Sequence, residues 1–493
     1  GSLALYQATT GSNNVGVGYN SLGTNSTADN NTAVGYNSLA ANTTGTQNVG
    51  VGSFVLDANT TGNYNVAMGV GTLGANTTAT GNTGLGYTAL ATNTTGASNV
   101  AVGYEALNLN TTASNNVACG YAALKANTTG ADGSALGSDA LAANTTGNSN
   151  TAVGHEALYV NTTGNYNVAM GSGALDSNTT ANNNTGVGYL ALEANTTGAD
   201  NVAVGAFALD ANTTGNDCTA VGKQALTENT TGLNNTGLGF QSLENNTTAS
   251  NNTAVGYKSL EANTTGDNNV AVGSGTLDAN TTGATNVAVG NGAVGSNTTG
   301  IRLTGLGHGS LGSNTTGTRN VGVGYAALNG NTTGQYNVGV GTGALQTNTT
   351  GAEQVAVGYN SLYSNTTGNF NVAMGASAMY SNTTADKSVA IGYYALLNAT
   401  TGGNNTAVGY RALDSVTDGH DNTGVGRDVL TAVTTGEKNT ACGTSGQGIT
   451  TGQNNLTLGY NAGSAASPSG NITTGNDTIC LGDNGISNLF CAD

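Results

Sequence analysis

The chain has 493 residues, including 79 Gly, one Pro and no Trp, and a net charge of −17 from 26 acidic and 9 basic side chains. The basic residues are few and scattered, which argues against nucleic acid as a partner, because phosphate recognition needs clustered Lys and Arg. No apolar run approaches the ~20 residues of a membrane-spanning helix, so no membrane insertion is expected.

A length of 493 residues would ordinarily suggest several globular domains. An internal period replaces that expectation. Stepping 17 residues at a time from Gly1 lands on Gly18, Gly35, Gly52 and Gly69, and the series runs without a miss to Gly443, 27 glycines in one frame. Residues 1–13 match the last thirteen positions of a repeat, with Ala8 where Asn is usual, so the chain is expected to begin inside a longer repeat array. Residues 14–438 form 25 in-register units of 17 residues. A typical unit, 31–47, reads Asn-Thr-Ala-Val-Gly-Tyr-Asn-Ser-Leu-Ala-Ala-Asn-Thr-Thr-Gly-Thr-Gln. Residues 439–493 lose the frame: Asn455 follows Asn439 by 16 residues, and Asp477 follows Asn455 by 22.

Within a unit, positions 1 to 4 read as a short strand. Alternation puts positions 2 and 4 on one face and 1 and 3 on the other. The aliphatic position 4 (Val17, Val34, Met68, Leu85, Ile391) is assigned to the core with position 2. Cys119 and Cys442 take position 4 and are therefore expected to be small core residues. Position 3 is Ala or Gly throughout (Gly16, Ala33, Ala67), which means that another backbone packs closely there. Gly18, Gly35 and Gly52, at position 5, suit a turn or a positive φ. A second extended piece is expected around the Leu at position 9 (Leu22, Leu39, Leu56), and the Asn-Thr-Thr-Gly that follows is turn chemistry.

Helix is disfavoured by the recurrent Gly, Asn and Thr. The fold expected is all-β: a repetitive β-solenoid or β-roll with turns of 17 residues, each burying its apolar face only against its neighbours. At ~4.8 Å per turn the 25 units would span roughly 120 Å. So thin a core favours association of chains, and the small position 3 is the expected meeting place.

Asn-x-Thr sequons recur in one column of 22, from Asn25 to Asn382, and include Asn42, Asn59, Asn76, Asn93, Asn110, Asn127 and Asn144. One reading is dense N-glycosylation. The other is an internal ladder of amides bonding turn to turn. The ladder is preferred: glycans ~5 Å apart would crowd one another, and the next members of the column are Ala399, Val416 and Val433.

Position 6 often carries Tyr (Tyr19, Tyr36, Tyr87, Tyr104, Tyr121) but accepts Ser53, His155 and Lys223, the mark of an exposed ridge. Acidic residues favour position 10 (Asp57, Asp176, Glu193, Asp210, Asp278) and read as a solvated face. His155, His308 and His420 are too far apart in the repeat to share a metal, and the five cysteines have neither disulfide-framework nor zinc spacing. No catalytic constellation, cofactor site or metal site is expected, so the chain is read as a structural protein and not an enzyme.

The motif Asn-Thr-Ala-Val-Gly-Tyr-x-Ala-Leu resembles the repeat of trimeric autotransporter adhesin heads. It is closer still to Asn-Thr-Thr-Gly repeat proteins of phage and other viral tail fibres. The segment 481–493, Leu-Gly-Asp-Asn-Gly-Ile-Ser-Asn-Leu-Phe-Cys-Ala-Asp, resembles the sequence just ahead of the self-cleaving intramolecular chaperone domain of endosialidase-type tail spikes. These resemblances imply a homotrimeric β-roll. They imply the shaft of a virion tail fibre, extracellular and contributing to attachment to a host-surface glycan or protein. A microbial cell-surface adhesin or glycosylated extracellular filament is the alternative they leave open.

Overall fold

The computed structural model describes residues 1–465, 467, 470–483 and 485. The segment 481–493, which carries the likeness to a chaperone-proximal sequence, therefore lies mostly outside the described residues. Among the described residues there are 28 strands of three residues each and no helix. The chain divides into two units, Gly1–Ala249 and Ser250–Asp493.

Each unit is a parallel β-solenoid. Strands run from β1 (Val15–Val17) to β14 (Thr236–Leu238) in the first, and from β15 (Thr253–Val255) to β28 (Ile479–Leu481) in the second. Pairing is in register from turn to turn. In the first unit Thr32 lies opposite Val49, Ala33 opposite Gly50 and Val34 opposite Val51. In the second, Val270 lies opposite Val287 and Ala271 opposite Ala288. The loss of frame after Gly443 does not interrupt the stack. Thr440 pairs with Leu456, and Leu456 with Ile479, so a shorter and a longer turn keep the same ladder.

Three-residue strands alone make a weak sheet. Here the backbone bonds continue around the whole turn. Thr32 N–H donates to Asn48 O at 2.9 Å, Gly35 to Val17 O at 2.7 Å, Leu39 to Val55 O at 2.9 Å and Thr43 to Thr60 O at 3.0 Å. Nearly every side of a coil is thus bonded to the coil above or below, which satisfies backbone groups that water cannot reach.

Two expectations about local structure are corrected. First, the Leu segment is not extended. Leu39 has φ +51° and Leu107 φ +50°, left-handed values that recur at position 9 along the chain. That conformation costs an L-residue about 1–2 kcal/mol. Burying a Leu side chain completely returns about 1.5–3 kcal/mol, and Leu22, Leu39, Leu56 and their successors are fully buried. Core filling therefore outweighs local strain. Leu209→Ala should accordingly lower unfolding stability by about 2–5 kcal/mol, read as an earlier midpoint in urea.

Second, the inward and outward faces of the strand are reversed. Position 3 is the interior one: Ala33, Ala67 and Ala101 are fully buried. It packs across a thin coil against positions 8 and 9. A Cβ on Gly50 would lie 2.8 Å from Ser38 Oγ, and one on Gly84 2.6 Å from Thr72 Cγ2. The size limit at position 3 comes from packing inside one chain, so it is not where chains meet. Position 4 points outward: Val17 is 55% exposed and Met68 46%. Cys442 is likewise exposed and Cys119 partly so, and neither is a core residue.

Candidate functional surface

The interior of each coil is more polar than its sequence pattern suggested. The sequon asparagines Asn42, Asn59, Asn76, Asn93, Asn110, Asn127 and Asn144 are all buried. Each Nδ2 serves two acceptors. Asn59 Nδ2 donates to Asn42 Oδ1 at 2.9 Å and to the Gly62 carbonyl at 3.1 Å. Asn127 Nδ2 donates to Asn110 Oδ1 and to the Gly130 carbonyl, both at 2.9 Å. A glycan on such a nitrogen would have to fit inside the coil. We therefore expect peptide mapping of the folded protein to find no glycan on this column.

A second amide column was missed in the sequence. Asn31, Asn48, Asn65 and Asn82, at position 1, are also buried. Asn48 Nδ2 donates to Asn31 Oδ1 at 3.2 Å and to the Gly62 carbonyl at 2.8 Å, while its backbone N–H donates to the same Asn31 Oδ1 at 2.9 Å. The two amide columns thus converge on one carbonyl per turn. The backbone donor explains why the column tolerates substitution. Where Cys218 and Leu303 replace Asn, their N–H groups still donate to Asn201 Oδ1 and Asn286 Oδ1, both at 2.9 Å. The legible signal was the recurrence of Asn at the start of each strand.

Gly18, Gly35 and Gly52 end the strands with φ of +131°, +138° and +136°. These values require glycine in practice. A Cβ on Gly52 would also approach the Gly69 backbone carbon to 2.9 Å.

Outward columns run alongside these interior ones. The Tyr ridge is exposed, but its members stack on each other. Tyr87, Tyr104 and Tyr121 have successive centroid separations of 5.3 Å with nearly parallel planes. Facing rings cover the surfaces that would otherwise stack on sugar. His155 sits 3.4 Å from Glu156, and His308 stacks on Tyr325. Among the described residues no three of His, Cys, Asp and Glu gather into a group able to hold a metal.

The position-10 carboxylates are half-buried rather than freely solvated. Burial raises the pKa of Asp57, Asp176, Asp210 and Asp278, and that of Asp210 reaches about 6. Glu193 and Glu228 push Asp210 the same way, while backbone N–H groups of Asp210 and Ala211 pull it down. One Asp210 carboxylate oxygen is buried without a hydrogen-bond partner. An acid with a raised folded pKa holds its proton better when folded, so stability is greatest below the unfolded value of 3.8 and is lost as pH rises toward about 6. Asp210→Asn should then raise the urea midpoint at pH 7.5, and that gain should vanish near pH 4.

No protein-family model matches the chain, and no curated protein matches it.

Proposed function

We propose that the chain is the shaft of a viral tail fibre, extracellular and assembled from three copies, contributing to attachment at a host surface. Its role is structural rather than catalytic. The observation that carries this reading is uniformity. Turn after turn presents the same outward columns, and among the described residues no three of His, Cys, Asp and Glu gather into a group able to hold a metal. Repetition of one supersecondary unit builds length and a regular surface, and stability then sums over neighbouring turns. An enzyme would instead need converging catalytic groups in a cleft, as the paired carboxylates of glycosidases illustrate. The resemblance of the repeat to tail-fibre sequences supports the viral setting over other filaments.

Antibodies raised against the full chain test this by immunogold electron microscopy on virions and on cells from the same source. Label along thin fibres projecting from virion tails is the expected result. Label on a cell envelope would replace the proposal with a cellular adhesin, and label confined to cell interiors would overturn both.

A further inference from the structure

The outward face of the strands has no partner in the structure of a single chain. It consists of two adjacent columns. Position 2 is Val, Thr or Ser, and position 4 is Val, Leu, Ile, Met or Cys, from Val15 and Val17 to Thr440 and Cys442. These two columns hold not one Asp, Glu, Lys, Arg or His in a chain that carries 26 acidic and 9 basic residues. The aliphatic members are substantially exposed: Leu136 at 53%, Met170 at 44% and Val289 at 39%.

We infer that this aliphatic strip is the surface on which copies of this chain pack against one another. The inference rests on the reading of the chain as a multi-copy fibre, and it moves the contact from position 3, now interior, to positions 2 and 4. Three observations favour a second copy over another occupant. The first is area. Fourteen strands in the first unit and twelve in the second, ~4.8 Å apart and about 10 Å wide, give strips on the order of 600–700 Å². That exceeds the few hundred Å² of apolar patch usual on monomers and approaches the ~800 Å² per partner of a stable interface. The second is charge. A chain of net charge −17 meets least repulsion from its own copy across a face from which charge is absent. The third is pitch. The strip repeats at the turn spacing throughout each unit, and another copy offers ridges of the same spacing over the same length.

The test has three arms, all on the full chain. Sedimentation equilibrium should give a multiple of the 48.1 kDa chain mass. The mass of one chain would overturn both this inference and the multi-copy part of the proposed function. The second arm uses native thiols and carries no folding risk. Cys442 is exposed on the strip of a single chain, whereas Cys218 and Cys480 are buried within it. In the native assembly, maleimide labelling of Cys442, read by peptide mapping, should be at least tenfold slower than in urea. Labelling of assembled protein at the unfolded rate would overturn the strip assignment alone. The third arm is the triple variant Val187→Lys, Val204→Lys and Val221→Lys, with β-sheet circular dichroism as the folding check. It should weaken association at least tenfold. A folded variant that assembles like the wild type overturns the assignment, and if the variant does not fold the thiol arm decides.

Discussion

Gly103→Ala is expected to destabilise the first unit by more than about 4 kcal/mol, at the extreme of single-substitution effects. Gly103 sits at position 5 with φ +141°. An added methyl group would collide with the Gly120 carbonyl of the next turn and lie 2.7 Å from its carbon. The obstacle is backbone, so no side-chain rotation relieves it. Relief requires the two turns to separate, which breaks the bonds that join them, among them Gly120 N–H to Val102 O at 2.9 Å and Val100 N–H to Asn116 O at 2.8 Å. In a stack stabilised by neighbouring turns, that is a break in the middle of the array. Urea unfolding should show it as a large fall in midpoint or as a split transition. By contrast, Gly292→Ala should be far milder: its φ is +60°, and no atom lies within 4 Å of the place the new methyl group would occupy.

The second large effect is expected at the interior amides. Asn110→Ala removes the donor to Asn93 Oδ1 at 2.8 Å and the acceptor of Asn127 Nδ2 at 2.9 Å. It also removes one of two donors to the Ala113 carbonyl, which keeps Asn99 Nδ2 at 2.9 Å. Asn93 Oδ1 is left without a partner, at about 1–3 kcal/mol, and Asn127 Nδ2 keeps only the Gly130 carbonyl, a lost bond of about 1 kcal/mol, so a loss of about 2–4 kcal/mol is expected, before the small loss of packing. The same reasoning fixes the sign of a double substitution. Asn110→Ala and Asn127→Ala each break the same bond from Asn127 Nδ2 to Asn110 Oδ1, and the double substitution removes both of its ends, so the pair should be less damaging than the sum of the singles. Denaturant titration of the three variants measures this. The chain supplies a natural parallel: the column ends in the block Ala399, Val416 and Val433, all buried, where apolar neighbours replace amides together.

Much of the architecture was legible from residue spacing. The period of 17, the strand at the start of each unit and the parallel in-register stacking follow from fixed columns, because only a regular turn keeps them aligned. The glycine after each strand was readable for the same reason. What the columns did not reveal was which face of the strand is inside. Alternation defines two faces but does not orient them. The rule that aliphatic side chains go inward runs one way only, since folded proteins also expose apolar atoms. Here the better guide was volume. A coil too narrow for two large side chains admits Leu39 from one side and only Ala33 or Gly50 from the other. The left-handed Leu could not be read locally, because bulky residues avoid positive φ and only the ladder and core around Leu39 hold it there. The position-1 amides were hidden for a different reason. Asn31 and Asn48 look like ordinary strand-entry residues until the coil closes around them.

The central claim is that successive 17-residue repeats stack in register, one repeat per turn. Solid-state NMR with 13C at the backbone carbonyls of valine tests it directly, since Val187, Val204 and Val221 fall opposite one another in adjacent turns. Dipolar recoupling should give nearest-neighbour separations of about 4.8 Å, the spacing of paired strands. Separations beyond about 6 Å would mean that equivalent residues are not hydrogen-bonding neighbours, and would contradict the in-register solenoid.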